Sequence, residues 1–164
     1  PPADWTATLP AAPAPRLQPG GHTLGVPFGS LDARALAGLM NTSDATALRV
    51  TPWRLFILEG GQPTASDGFV TAPRDPLLHT HACPGAPACA EATVDTRALA
   101  TALARHHSST LHVSGCAKGC AHPNPAATTL TGRDGAFALV EQGAPWDEPR
   151  QRGLSADDIL MMTT

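Results

Sequence analysis

The sequence predicts an α+β fold built from short elements. The chain has 164 residues, of which 17 are proline and 15 are glycine, and this composition predicts frequent turns. Strand patterns alternate with helix patterns, and one pair of strands is separated by an Asp-Gly turn, so hairpins are mixed with strand–helix–strand connections. The length allows one domain, or two small ones sharing a core.

The first element is a Pro-rich segment. Residues 1–20 contain six prolines and show neither the helix period nor the strand period, which indicates a linker or an irregular wrapping segment. A first folded unit is expected at 21–76. It opens with an apolar stretch at 22–29, which we interpret as an edge strand because Pro27 cannot donate to a central ladder.

A helix and a strand complete this first unit. Ser30 is the expected cap of a helix that begins at Leu31 and ends at 41–44. The apolar face of this helix consists of Leu36, Leu39 and Met40. Residues 47–58 predict one strand interrupted at Thr51-Pro52, and two glycines at 60–61 end it.

A second unit is expected at 77–164. Residues 77–82 predict a strand that leads into Cys83, followed by a helix capped by Thr93 or Asp95. The apolar stripe of that helix is Leu99, Ala102, Leu103 and His106.

The end of the second unit combines a strand, a hairpin and a helix. Residues 110–114 predict a strand that delivers Cys116, and 128–131 pairs with 136–140 around a turn at 132–135. A capping box from Ser155 to Asp158 opens a final helix at 159–162.

Composition excludes two classes of protein. With 14 acidic and 11 basic residues the net charge is −3, and no basic cluster offers a surface for nucleic acid. No run approaches the roughly 18 apolar residues that span a bilayer, which predicts that the chain does not bind a membrane. No export signal is recognisable, so the expected compartment is the cytoplasm, where thiols stay reduced.

The four cysteines are the strongest chemical signal. They form a C-x5-C loop, Cys83 and Cys89, and a C-x3-C loop, Cys116 and Cys120. Structural zinc favours tighter C-x2-C knuckles, whereas a [4Fe–4S] cube takes thiolates at separate corners. The spacing favours an iron–sulfur cluster and leaves three alternatives: zinc, reduced structural cysteines, or disulfides.

The sequence around these cysteines resembles the cluster loops of the sulfite/nitrite reductase superfamily. The segments are HACPGAPACA at 81–90 and LHVSGCAKGCAHP at 111–123, and they look most like the precorrin-3B synthase family. VPFGSLD at 26–32 and LRVTPWR at 48–54 extend the resemblance. The middle of the C-x3-C loop is Lys118, where sulfite and nitrite reductases usually have asparagine.

The resemblance implies a ferredoxin-like half-domain followed by a [4Fe–4S] core half-domain, corresponding to the C-terminal half of such an enzyme. It implies an oxygen-dependent monooxygenase that hydroxylates precorrin-3A and closes a lactone in aerobic cobalamin biosynthesis. The expected partners are an N-terminal half missing from this chain and an electron donor, either reduced nicotinamide or a redox protein. A non-haem iron is also associated with the family, and its ligands are unknown.

Three basic side chains are candidates for contact with substrate or cluster. Arg49 and Arg54 flank a Thr-Pro-Trp segment, and a guanidinium fork suits the carboxylates of a precorrin. Lys118 is the only lysine in the chain and lies between two proposed cluster ligands. We expect it to raise the reduction potential of the cluster or to bind a substrate carboxylate; the alternative is a solvated loop lysine.

Three histidines lie near the cysteine loops and could bind the second iron. For each of them we expect instead an ordinary partly buried or exposed side chain. They are His79, His81 and His112. Two other functions stay open: a fragment of a sirohaem-dependent sulfite or nitrite reductase, and a non-catalytic zinc or iron–sulfur module.

Overall fold

The computed structural model describes residues 12–63 and 66–163. The chain divides into two compact units, Pro1–Arg74 and Asp75–Thr164. Of the predicted Pro-rich segment, residues 1–11 lie outside the described part. Residues 16–18 of that segment form a strand rather than an irregular stretch.

The first unit is a four-stranded antiparallel sheet with one α-helix. The sheet order is β1-β2-β4-β3. The strands are β1 (Arg16–Gln18), β2 (Gly21–Gly25), β3 (Ala47–Val50) and β4 (Leu55–Glu59), and the helix is α1 (Ala33–Asn41). A 3-10 turn at Pro27–Gly29 follows β2.

Two predictions for this sheet are wrong. β2 is a central strand, because β1 pairs with it on one side and β4 on the other, and Pro27 lies beyond its end. The expected interrupted strand at 47–58 is a hairpin, since β3 and β4 pair with each other. The turn between β3 and β4 contains Arg54, whose φ of 57° lies in the left-handed region of backbone conformation.

Helix α1 packs the predicted apolar face on this sheet. Leu39 is buried against Leu24 and Leu58, with Leu36 and Met40 packed beside them. The cap differs from the prediction: Asp32, not Ser30, accepts the backbone N–H groups of Arg34 and Ala35 at 2.9 Å.

The second unit is a five-stranded mixed sheet with two helices. The sheet order is β5-β6-β7-β8-β9. The β5–β6 and β6–β7 pairs are parallel, and the β7–β8 and β8–β9 pairs are antiparallel. The elements are β5 (Thr80–Ala82), α2 (Arg97–Ala104), β6 (Leu111–Ser114), β7 (Ala126–Arg133), β8 (Ala136–Gly143), β9 (Gln151–Leu154) and α3 (Ala156–Met162). A 3-10 turn at Pro76–Leu78 precedes β5.

Most elements of this unit follow the sequence prediction. The hairpin of β7 and β8 turns at Asp134 and Gly135, both with positive φ, and the capping box of Ser155 and Asp158 opens α3. Helix α2 buries Leu99 and Leu103 as expected.

Two predictions for α2 are wrong. The buried side chains beside its leucines are Ala100 and Ala104, whereas Ala102 and His106 are exposed. Thr96, rather than Thr93 or Asp95, is the cap residue, and its hydroxyl makes no capping bond.

The described part of the chain contains no helix with the length and apolarity needed to cross a bilayer.

Candidate functional site

The two cysteine loops start at the same edge of the second sheet. Cys83 directly follows β5, and Cys116 comes two residues after the end of β6. β5 and β6 are parallel neighbours, so their carboxyl ends lie side by side. The fold therefore brings together two loops that are separated by 26 residues of sequence.

A backbone-to-sulfur hydrogen bond joins the two loops. The Gly115 N–H donates to Cys83 Sγ at 3.2 Å. A Cβ at Gly115 would lie 2.5 Å from the Cβ of Ala92, so only glycine permits this approach. N–H···S bonds of this kind stabilise thiolate ligands of iron–sulfur clusters.

The first loop is fixed at its base by hydrogen bonds. The Thr96 hydroxyl donates to the Cys83 carbonyl at 2.5 Å, which explains why Thr96 is buried and does not cap α2. Within the loop, the Cys89 N–H donates to the Gly85 carbonyl at 2.8 Å. These contacts fix the backbone of both cysteines of the loop.

The second loop is fixed in a similar way. The Ser114 hydroxyl donates to the Cys116 carbonyl at 2.7 Å, and the Thr93 N–H donates to the Gly115 carbonyl at 3.1 Å. The Thr93 bond is a further link between the segments that follow the two strands.

The two loops together carry four cysteine thiols. All four cysteines are free thiols. Cys83 is buried, Cys89 and Cys116 are partly buried, and Cys120 is exposed. Soft thiolate ligands select iron–sulfur clusters, zinc or copper(I) over hard cations.

Lys118 is exposed and ion-paired. Its side chain is 61% exposed, and Nζ lies 3.2 Å from Oε2 of Glu91. The hydrogen bond and charge of Glu91 raise the pKa of Lys118. Glu91 follows Cys89 by two residues, so the ion pair of Lys118 and Glu91 is another link between the two cysteine loops. The carboxylate of Glu91 also offsets part of the lysine charge.

Trp146 lies beside the second cysteine loop, which the sequence did not indicate. Gly119 has a φ of 66°, and a Cβ there would lie 2.9 Å from the Trp146 ring. Trp146 is 53% exposed. Its backbone segment is nevertheless anchored, because the Ala144 N–H donates to Asp147 Oδ2 at 2.7 Å. Nothing in the local sequence marks Trp146, because its proximity to Gly119 arises from the return of β8 along β7.

The structure groups the histidines differently from the prediction. His81 and His112 are register partners on β5 and β6, and His122 joins them, whereas His79 is exposed. Burial, followed by the charge of His122, lowers the pKa of His112 to about 4. Within residues 12–63 and 66–163 no group of three or more His, Cys, Asp or Glu side chains is arranged to hold a metal ion.

The two candidate arginines lie in the first unit, while the cysteines lie in the second. Arg49 on β3 is exposed and forms an ion pair with Glu59 on β4. Arg54 is half-buried in the turn between these strands, and burial lowers the pKa of its guanidinium. Both side chains are therefore held on or beside the same hairpin.

Comparison with known structures defines the class of fold. The NirA protein of Mycobacterium tuberculosis, a member of the sulfite/nitrite reductase family, superposes with a TM-score of 0.62 over 93% of this chain at 21% identity. The chain thus has the sulfite/nitrite reductase type of α+β fold, as the resemblance implied.

Comparison of sequences identifies the particular relative. No family profile matches the chain. A precorrin-3B synthase from Sinorhizobium sp is 35% identical over an alignment of 168 residues, which covers 86% of this chain. The chain is a relative of precorrin-3B synthase, and the resemblance seen in its sequence is confirmed. It spans 37% of the length of that relative and 36% of NirA.

Proposed function

We propose that this chain is the iron–sulfur portion of a precorrin-3B synthase-type monooxygenase. Cys83, Cys89, Cys116 and Cys120 would be the ligands of one [4Fe–4S] cluster. The contact between Gly115 and Cys83 supports this assignment, because it aligns two distant cysteine loops and aims a backbone N–H at a ligand sulfur. The similarity to precorrin-3B synthase, by name an enzyme of tetrapyrrole chemistry, supports the substrate class.

The proposed reaction is the oxygen-dependent hydroxylation of precorrin-3A with closure of a lactone. One oxygen atom of O₂ enters the substrate, and the other leaves as water with two electrons from a reduced donor. That donor is reduced nicotinamide or a redox protein. A [4Fe–4S] cluster, when bound, supplies one-electron transfer to this chemistry.

The residues of this chain would hold the cluster and bind carboxylates of the substrate. The Gly115 N–H and the Thr96 hydroxyl hold Cys83, and Lys118 with Glu91 sets the charge beside the second loop. The candidate guanidinium groups are those of Arg54, which is half-buried, and of Arg49, which would have to exchange Glu59 for a substrate carboxylate. Among the described residues no group of three or more His, Cys, Asp or Glu side chains is arranged to hold a metal ion, so neither the four cysteines nor a ligand set for a second iron is already gathered.

The complete reaction would need protein beyond this chain. The chain spans little more than a third of its precorrin-3B synthase relative. We propose that an N-terminal half supplies the remaining walls of the substrate cavity. Whether that half is part of the same polypeptide or a separate one is immaterial to the ligand assignment.

Metal analysis and a visible spectrum of anaerobically purified protein test the proposal. We expect about four iron and four sulfide per chain, with a broad charge-transfer absorbance that bleaches on reduction. A strong Soret band would instead identify a sirohaem reductase fragment. A colourless protein with stoichiometric zinc would identify a non-catalytic zinc module, and either result would overturn the proposal.

A further inference from the structure

Three imidazoles meet beside the cysteine loops. The rings of His81 and His122 are stacked, with centroids 4.2 Å apart and an interplanar angle of 29°. The ring of His112 meets His122 edge-on, with centroids 5.7 Å apart and an angle of 80°. We call His81, His112 and His122 the imidazole cluster.

Two members of the imidazole cluster lie on paired strands of the second sheet. His81 and His112 are register partners on parallel strands, so their side chains share one face of the sheet. β6 lies between β5 and β7, and His112 is completely buried. The His112 ring cannot move without disturbing the interior of the sheet, and His81 is partly buried beside it on the edge strand.

The third member lies at the end of the second cysteine loop. The His122 N–H donates to the Gly119 carbonyl at 3.1 Å, so Cys120 lies inside a turn closed by His122. Cys120 is the exposed member of the four cysteines, and its turn follows the left-handed Gly119. A fixed ring at 122 therefore restricts where the Cys120 thiol can lie.

The chemistry of His112 favours packing over polar anchoring. Its two ring nitrogens have no hydrogen-bond partner in the described part of the chain. Burial lowers its pKa to about 4, so the ring is neutral at pH 7 and does not repel His122 as a cation would. A ring whose nitrogens are unused contributes through its shape and its aromatic contacts.

We infer that His122 is a positioning residue for Cys120. Its ring, held between His81 and His112, fixes the end of the C-x3-C loop against β5 and β6 and keeps the fourth thiolate in place. The inference rests on the proposed [4Fe–4S] assignment and adds a residue to it. Aromatic shape, and not the imidazole nitrogens, is the property that matters.

Two substitutions at one position separate shape from polarity. We would purify the full chain anaerobically as wild type, His122→Ala and His122→Phe, with His106→Ala as the matched control, since His106 is an exposed histidine in the same unit. The readouts are the EPR spectrum of the reduced cluster and the rate at which visible absorbance is lost in air.

We expect His122→Ala to lose its cluster about five- to tenfold faster than wild type, with shifted or broadened EPR features, because an aromatic pair contributes about that factor. His122→Phe should restore both readouts towards wild type, and His106→Ala should match wild type. Unchanged readouts in His122→Ala, or a phenylalanine variant no better than alanine, would overturn the inference.

A second pair of variants, at position 81, keeps the test valid if the position 122 variants do not fold. If His122→Ala gives no folded protein by circular dichroism, His81→Ala and His81→Phe are compared in its place, and the same order is expected. Equal rates of cluster loss in His81→Ala and His81→Phe would also overturn the inference. A wild-type chain without a cluster would instead refute the proposed function, so the two failures are distinguishable.

Discussion

At the scale of single residues, Lys118 and Glu91 form a charge pair whose two halves should act oppositely on the cluster. A [4Fe–4S] cluster with four thiolates is negatively charged, so an ammonium beside it favours the reduced state and a carboxylate disfavours it. Lys118→Met should lower the reduction potential by tens of millivolts, where about 59 mV is a tenfold change for one electron. Glu91→Gln should raise it.

Redox titration of the two single variants and of the double variant measures this effect. The double variant should return close to the wild-type potential, because the two charges offset each other across 3.2 Å. If neither single change moves the potential, the pair does not tune the cluster. A weaker affinity for precorrin-3A in a complete enzyme carrying Lys118→Met would then assign the lysine to substrate binding.

His112 should make the fold sensitive to acid. Its pKa is lowered to about 4 in the folded chain against about 6.5 when unfolded, so the unfolded state binds the extra proton between these values. The contribution of His112 to stability is therefore complete above pH 6.5 and is lost as the pH falls towards 4. Between pH 7.5 and pH 5.5 the expected loss is about 1 kcal/mol.

Thermal unfolding of wild type and His112→Leu at those two pH values measures the difference. Leucine cannot titrate, so the wild type should lose more stability than the variant on acidification. Parallel losses in both proteins would show that another group dominates the acid response.

At the scale of elements, the two cysteine loops are held together by their backbones, and Gly115 is the point of closest contact. Gly115→Ala would place a Cβ 2.5 Å from Ala92 and push the N–H away from Cys83. We expect a destabilisation of about 1–3 kcal/mol and a lower iron content.

A glycine in a helix supplies the matched control. Gly38 lies inside α1, and a Cβ there would meet nothing within 4 Å. Gly38→Ala should stabilise the chain by about 0.5–1 kcal/mol, because alanine has the higher helix propensity, and should leave iron content unchanged. Denaturant unfolding and iron analysis compare the two. If Gly115→Ala keeps full iron content, the contact is not required for the site.

The elements also show what the sequence could predict. The β7–β8 hairpin was predictable because Asp134 and Gly135 provide the left-handed turn, and the α3 cap because Ser155 and Asp158 have the required spacing. Strands β1 and β9 were missed because each has only three or four residues and no alternation of buried side chains.

The sequence marked the four cysteines of the candidate site but not the residues around them. The cysteine loops stand out by spacing and by resemblance, whereas the partners of Cys83, Lys118 and His122 come from distant segments. Glu91 and Gly115 are ordinary residues in the sequence, and only the parallel pairing of β5 with β6 brings their segments together. Proximity in sequence singled out His79, His81 and His112, but it does not report which strand face a side chain occupies, and the structure places His122 rather than His79 beside His81 and His112.

At the scale of the whole molecule, the chain should be unable to convert precorrin-3A without further protein. It spans 37% of the precorrin-3B synthase it resembles, and the proposed cavity needs walls that this length does not provide. Mass spectrometry of anaerobically prepared protein exposed to oxygen, donor and precorrin-3A should detect no hydroxylated product. The full-length relative is the positive control, and a matching rate from this chain would contradict the proposal.

The central claim is that two loops from neighbouring strands bind one four-iron cluster through four cysteines. Mössbauer spectroscopy of protein grown on ⁵⁷Fe tests it most directly, with wild type beside four single Cys→Ser variants. The account predicts one [4Fe–4S] species in the wild type and its loss or conversion in Cys83→Ser, Cys89→Ser, Cys116→Ser and Cys120→Ser alike. A wild type without that species, or four variants that all retain it unchanged, would contradict the claim.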